Sequence, residues 1–519
     1  MKKLLSVLLV PVLFVTALLP AAASGYPESA HVYENNCDRS WEYIHPESAE
    51  GLFVTFSDET YVEPGALKYA LTGEYSQEEL ESFLATGESE AEEGDRITLY
   101  DRDGELFGWY TGDQLAGRTL YLPGDRFTVR LESDGSGVGY GFSVDSITSE
   151  LPDDLCLVRY HIGGETVGVP VPTGEPVELN EYYRLRQCGD RVIVGWRTAA
   201  GDEYYYNAVD YDESIFAYSP SRTGLTAAGG EEIDLSPIEC PISMTADEVF
   251  SFTNSAEYFS AELDGYVLEK EHFLRLITAE YVTFGLTPVM PLVAPVTFYM
   301  TYYYPTMSFS GSCGGIVITE LLQHYGKIDI LSAQGVDTVA ELEPDDRLLS
   351  VINYYAIQGN TFGYAANRMA IDPGTEEYSN QLRALYDTAA AGSPVYFGFY
   401  TTAHPVKTIF TPGSGKIKSG HAILVTGAYA DADGRHVLIA CDNNSAAYVN
   451  GYCETLYINE DFTEITYRNT PLKGFSWSDG APQYDSLPVE GPINPFAWHI
   501  EFFKNLLSLF RQIFGLYVK

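Results

Sequence analysis

The chain has 519 residues, 45% of them hydrophobic, and carries 73 acidic against 30 basic side chains, for a formal net charge of -43. That length is too great for a single hydrophobic core and calls for about two to four domains. A field of this sign repels nucleic acid and anionic surfaces, and the abundance of apolar residues and tyrosines excludes a disordered chain and favours strands.

The first residues have the three regions of a secretory signal peptide over 1–23: Lys2 and Lys3, an apolar run from Leu4 to Pro20, then Ala21-Ala22-Ala23. The mature chain is expected to begin near Ser24, at a charge of -45 once the two leader lysines of the -43 total are lost, and to be secreted or held at the cell surface. The most apolar later segment, Leu286 to Met300, is interrupted by Pro288, Pro291 and Pro295, which argues against a membrane-spanning helix. Seven cysteines, Cys37, Cys156, Cys188, Cys240, Cys313, Cys441 and Cys453, are an odd number. At least one thiol is therefore free or pairs between molecules, and no spacing matches a zinc site.

Residues 31–150 alternate apolar and polar positions in short runs such as Gly51–Phe56, Arg96–Asp101 and Arg126–Leu131, separated by Gly, Pro and Asp turns. That pattern predicts an all-β sandwich. The phrases HVYENNCDRSWEYIHP, FSDETYVE, GDRITLYDRDGELFGWYTG and the stretch closing in VGYGFSV resemble a CUB-like domain. The resemblance implies that Glu63, Asp95 and Asp134 bind a structural calcium ion, and an all-carboxylate set suits that hard cation. The plainer alternative is three acidic residues on solvent loops. The stretch from Pro64 to Gly94 departs from the family as a Glu-rich insertion with a helical pattern at Ser76–Gly87.

Residues 155–220 form a second small β module. RYHIGGETVGVPVPTGEPVELN followed by VIVGWRT resembles an internalin-type β-grasp repeat, in which the pair Gly195-Trp196 closes the core. The resemblance implies a spacer or adhesion role towards a cell-surface glycan or protein ligand.

From 245 to 484 the pattern changes to helices, such as Leu268–Val282, followed by strands after Ser393, an α+β domain of enzyme size. In SFSGSCGGIVITELLQHYG, Ser312 is a potential N-cap, Ile316, Val317, Leu321 and Leu322 repeat at helical spacing, and Gly326 supplies a stop. Cys313 then falls in the first turn, where unpaired amides and the helix dipole favour a thiolate. A nucleophile there needs an imidazole and a group to orient it. His421 opens the strand HAILVTGAY and Asp442 closes the strand VLIACD. Antiparallel pairing through the turn ADADGR brings both side chains to one end of the sheet. His324 lies about three helical turns from Cys313, too far for proton transfer. His404 and His436 read as loop and strand residues.

The order CGG…LLQHYG, SGHAILVTGAY, VLIACDNN resembles the papain-like cysteine peptidases of the double-glycine (bacteriocin-leader) type over about 140 residues. The resemblance implies a peptide or protein substrate, Cys313 as nucleophile, His421 as general acid/base and Asp442 as orienter, with Asn443 as the alternative orienter. It requires no cofactor for catalysis. The family's oxyanion-binding Gln is replaced here by Met307, which cannot donate a hydrogen bond, so Ser308, Ser310 or a backbone amide would have to take its place. A small buried cysteine or a half-cystine is the plain alternative for Cys313. Two further readings stand beside the peptidase: a peptidoglycan amidase or endopeptidase, and an inactive papain-like surface-binding protein. The final segment, 495–516, predicts an amphipathic helix striped by Ile500, Phe503, Leu507 and Phe510, suited to a peripheral membrane contact or to packing on its own chain.

Overall fold

The computed structural model describes residues 25–64, 94–212, 217–259, 312–359, 373–400, 420–444 and 453–479. The signal peptide, nearly all of the 64–94 insertion, the Leu268–Val282 pattern, Met307, Ser308, Ser310, His404 and the 495–516 helix lie outside them. The fold is multidomain and rich in β-sheet. It divides into two units, 1–68 with 92–152 and 69–91 with 153–519. Among the described residues no helix is long and apolar enough to cross a membrane.

In the first unit, alternation writes the strands directly: Arg126–Glu132 buries Phe127, Val129 and Leu131 and turns the intervening residues outwards. A four-stranded antiparallel sheet runs in the order Asp38–Ile44, Arg126–Glu132, Arg96–Tyr100, Leu106–Tyr110. A three-stranded sheet runs Thr119–Pro123, Gly51–Phe56, Val144–Thr148. Leu52, Val54 and Phe56 from the second sheet share one core with Ile97, Leu99 and Phe127 from the first, which makes the unit a sandwich.

The second unit opens with a sheet ordered Gln187–Cys188, Arg191–Thr198, Glu232–Pro241, Leu155–Ile162, Glu165–Pro172. Its central strand, Glu232–Pro241, runs parallel to Leu155–Ile162 and lies beyond the 155–220 boundary read from the sequence, so the module extends to Pro241. Trp196 is fully buried, sits edge-on against Tyr160 and donates from Nε1 to Tyr206 Oη at 2.8 Å. Packing of this kind is its role.

A seven-stranded antiparallel sheet follows, ordered Thr470–Pro471, Ile465–Tyr467, Glu454–Ile458, His436–Cys441, Gly420–Ala430, Val395–Tyr400, Gly474–Asp479. One face packs Ile423, Val425 and Phe397 against the helix Glu376–Ala390 through Leu382 and Leu385. The other packs Ala422, Leu424 and Ile439 against the helices Cys313–His324 and Asp346–Gly359. That second core also takes in Leu185, Val192, Val194 and Cys240 from the preceding β module, so one apolar seam joins the two.

Candidate active site

The Cys313–His324 helix holds the site's first group in place. Ile316, Val317, Leu321 and Leu322 are at most 1% exposed; burying each such side chain stabilises by roughly 1.5–3 kcal/mol. Burial goes beyond the expected single face: Thr319 and Glu320 are also enclosed. Thr319 Oγ1 donates to Gly315 O at 2.7 Å, and Glu320 Oε1 accepts from Phe250 N at 3.0 Å. The second glycine after the cysteine allows the helix to lie against its neighbour, because a Cβ on Gly315 would come within 2.2 Å of Ile352 O. The helix ends as the sequence predicts: Gly326 has φ 62°, Gly326 N donates to Gln323 O at 2.9 Å, and Lys327 N donates to Leu322 O at 2.8 Å. At the other end Ser312 occupies the N-cap position, but its hydroxyl makes no capping bond and is buried without a partner. The Ser312 amide instead donates to Asn254 Oδ1.

The strand Gly420–Ala430 pairs antiparallel with His436–Cys441, and Asp442 follows the second strand directly. His421 Nε2 lies 2.7 Å from Asp442 Oδ1, with 15% and 2% of the two side chains exposed. The Cys313 thiol is coupled electrostatically to the same imidazole, whose Nδ1 is the nitrogen not committed to Asp442. The structure thus brings together all three residues singled out from the sequence. Asn443 is placed differently: its Nδ2 donates to Cys313 O at 3.2 Å and to Ala422 O at 3.5 Å. Asp442, not Asn443, meets the imidazole.

Electrostatics favour a charged pair. Burial alone would lower the His421 pKa, but the Asp442 carboxylate outweighs it and the imidazole is pushed up to about 10. Burial likewise opposes ionisation of Cys313, yet the neighbouring His421 brings the thiol below its ordinary value. Burial would raise Asp442, while His421 first and Arg468 next hold it well below the usual carboxylate range. The thiol and the imidazole titrate as a coupled pair, and each shift favours the thiolate–imidazolium form.

Several supporting residues were not found by sequence reasoning. Tyr467 donates to Asp442 Oδ2, and Arg468 Nη2 stands 3.8 Å from the same oxygen while bonding Glu454 Oε1 at 2.6 Å. Asn444 N donates to Asp442 Oδ1 at 2.9 Å, and Asn444 Nδ2 lies 3.4 Å from His421 Nδ1. Asn254 links the loops, since its Nδ2 donates to Asn444 Oδ1 at 2.8 Å and its backbone N donates to Asn443 O at 2.7 Å. The doubled asparagine after Asp442 was the one visible signal; Asn254, Tyr467 and Arg468 carried none. His324 and His436 are engaged elsewhere. His324 Nδ1 pairs with Glu248 Oε1 at 2.7 Å, and His436 packs on Phe462 and Tyr386.

In the first unit, Glu63, Asp95 and Asp134 each offer a carboxylate oxygen within 4.8 Å of the others. Asp95 is buried; its Oδ2 accepts from Tyr33 and its Oδ1 from Asp134 N at 2.9 Å. Glu63 Oε2 is buried without a partner. Burial first, and then the neighbouring carboxylates, raise the Glu63 pKa, as expected of acidic groups gathered with no cation to balance them. The oxygen-only donors, one orphaned and one anchored, fit a hard divalent cation.

No family model matches the chain, and no curated protein matches it. A structural similarity extends to the full extracellular region of zebrafish Gpr126/Adgrg6, at 14% identity and a TM-score of 0.16, over 42% of this chain and 26% of that one. The chain thus spans about a quarter of that protein's region, and a likeness of this size bears on neither fold nor function. The structure defines a multidomain β-rich protein in which Cys313, His421 and Asp442 come together at the junction of a buried helix and a sheet.

Proposed function

We propose that the chain is a secreted bacterial cysteine peptidase whose papain-like domain hydrolyses peptide bonds through Cys313, His421 and Asp442. The observation that carries this reading is one cluster: a helix-start thiol coupled electrostatically to an imidazole whose Nε2 is 2.7 Å from a buried carboxylate oxygen. In this mechanism the Cys313 thiolate attacks the scissile carbonyl, and His421 protonates the departing amine. The resulting thioester is then hydrolysed by a water that His421 deprotonates. Asp442 keeps the imidazole oriented and its positive charge stabilised. With Met307 at the position of the family's Gln, first-turn backbone amides are the donors available to the oxyanion.

The CUB-like sandwich, with calcium on Glu63, Asp95 and Asp134, and the β-grasp-like module would position the enzyme against a surface glycan or protein. The C-terminal 495–516 segment would add a peripheral membrane contact. The test is Cys313→Ala. Hydrolysis of a peptide library and labelling by an epoxide thiol probe should both disappear, and hydrolysis unchanged in that variant would end the proposal. Met307 favours one second reading, an inactive papain-like binding protein, which predicts retained surface binding with no peptidase turnover even when Cys313 labels readily.

A further inference from the structure

We propose that Cys441 and Cys453 join as a disulfide between neighbouring strands, a covalent tie placed one residue before Asp442. The register sets the geometry. In the antiparallel pair His436–Cys441 and Glu454–Ile458, Ile439 faces Thr455 and Ala440 faces Glu454. Continuing that register by one step sets Cys441 opposite Cys453, which immediately precedes the strand Glu454–Ile458. Directly opposed residues in such a ladder have Cα atoms about 4.5–5.5 Å apart, inside the roughly 4.4–6.8 Å that a disulfide spans. The side chains point the same way: both cysteines belong to one apolar core and are 3% and 6% exposed.

The alternatives within reach are occupied or distant. Cys240 lies in the same core, but its thiol donates to Ala428 O at 3.4 Å. Cys313 is engaged with His421. Cys37 is the single cysteine of the first unit. Cys156 and Cys188 lie on strands of the module sheet with two other strands between them.

The chemistry needs an external disulfide of the glutathione or oxidoreductase class. The thiolate of one cysteine, Cys453 for instance, attacks the external disulfide, forming a mixed disulfide and releasing one reduced thiol. The Cys441 thiolate then attacks the protein-side sulfur and releases the second. Two protons and two electrons leave the protein, and one S–S bond is formed at the expense of another. Because both sulfurs are enclosed, the exchange takes place before the strands close. The inference rests on strand register and burial, and holds whether or not the chain hydrolyses peptides.

The test uses the full chain produced by export into an oxidising compartment. Alkylation under denaturing conditions should find five reactive thiols before reduction and all seven after it. Non-reducing peptide mapping should recover one linked pair containing Cys441 and Cys453. Seven thiols before reduction, or a bridge from either residue to any other cysteine, would overturn the proposal. A second measurement applies to folded protein: thiol reductant should lower the melting temperature of the wild type and leave that of Cys453→Ser unchanged. A wild-type melting temperature indifferent to reductant would count against the tie.

Discussion

Replacing Asp442 by Asn keeps the shape of the side chain and removes its charge, so it isolates what that charge does. In the native protein His421 is pushed from 6.5 up to about 10. At about 1.36 kcal/mol per unit, that shift favours the imidazolium by roughly 5 kcal/mol. The Asp442 carboxylate is the largest favourable contributor and the Cys313 thiolate supplies much of the rest. If Asp442 supplies about half, the Asn variant should lower the His421 midpoint by roughly two units. The thiolate would then lose its cationic partner over the same range. The assay is the rate of Cys313 alkylation by iodoacetamide as a function of pH, with Cys313→Ala as background and a histidine ring-proton titration beside it. In Asp442→Asn the alkylation midpoint should rise and the His421 midpoint fall. Peptide turnover, if present, should drop on the order of 10²- to 10⁴-fold. Stability has a definite sign as well. A His raised on folding contributes most below its unfolded value of 6.5 and loses that contribution as pH climbs through about 10. The wild type should therefore lose more stability than the variant across that interval. Superimposable alkylation profiles for the two proteins would refute the electrostatic account.

Two further outcomes follow from the geometry. Gly315→Ala places a methyl within 2.2 Å of Ile352 O and 3.0 Å of Ala356 Cβ, so a urea titration should show a loss of about 1–3 kcal/mol, and an unchanged midpoint would mean the helices do not approach so closely. Calcium at about a hundred times its dissociation constant should stabilise the first unit by about 2.7 kcal/mol; Glu63→Gln and Asp95→Asn should abolish that thermal shift, while a shift persisting in both would place the ion elsewhere.

The helix carrying Cys313 was legible because its signals are local: a small-residue start, apolar spacing and the Gly326 stop. The meeting of His421 with Asp442 was legible for a related reason, since two antiparallel strands joined by a short turn have few registers available. Contributions from distant segments were not legible. Asn254 reaches Ser312 across 58 residues and Tyr467 reaches Asp442 across 25, and no periodicity announces such meetings. Glu320 reads as a solvent-facing carboxylate until Phe250 N is found opposite it. The module boundary was misplaced because its central strand pairs in parallel with a segment about seventy residues earlier, Glu232 facing Leu157, and parallel partners leave no turn between them to read. Ser312 has the right residue type and holds the N-cap position, but its hydroxyl makes no capping bond and its amide donates to an asparagine from another segment.

The apolar seam that Leu185, Val192, Val194 and Cys240 share with Ile316, Leu321 and Leu424 makes the β module and the α+β region a single piece of machinery. A chain cut near residue 245 would strip one wall from the interior against which the Cys313 helix rests. It would also remove Gln187, whose side chain accepts from Ala246 N at 2.8 Å. The region carrying Cys313 is therefore not a portable cassette, and recombination or truncation that keeps its packing must carry the chain from about Asp153 onwards intact.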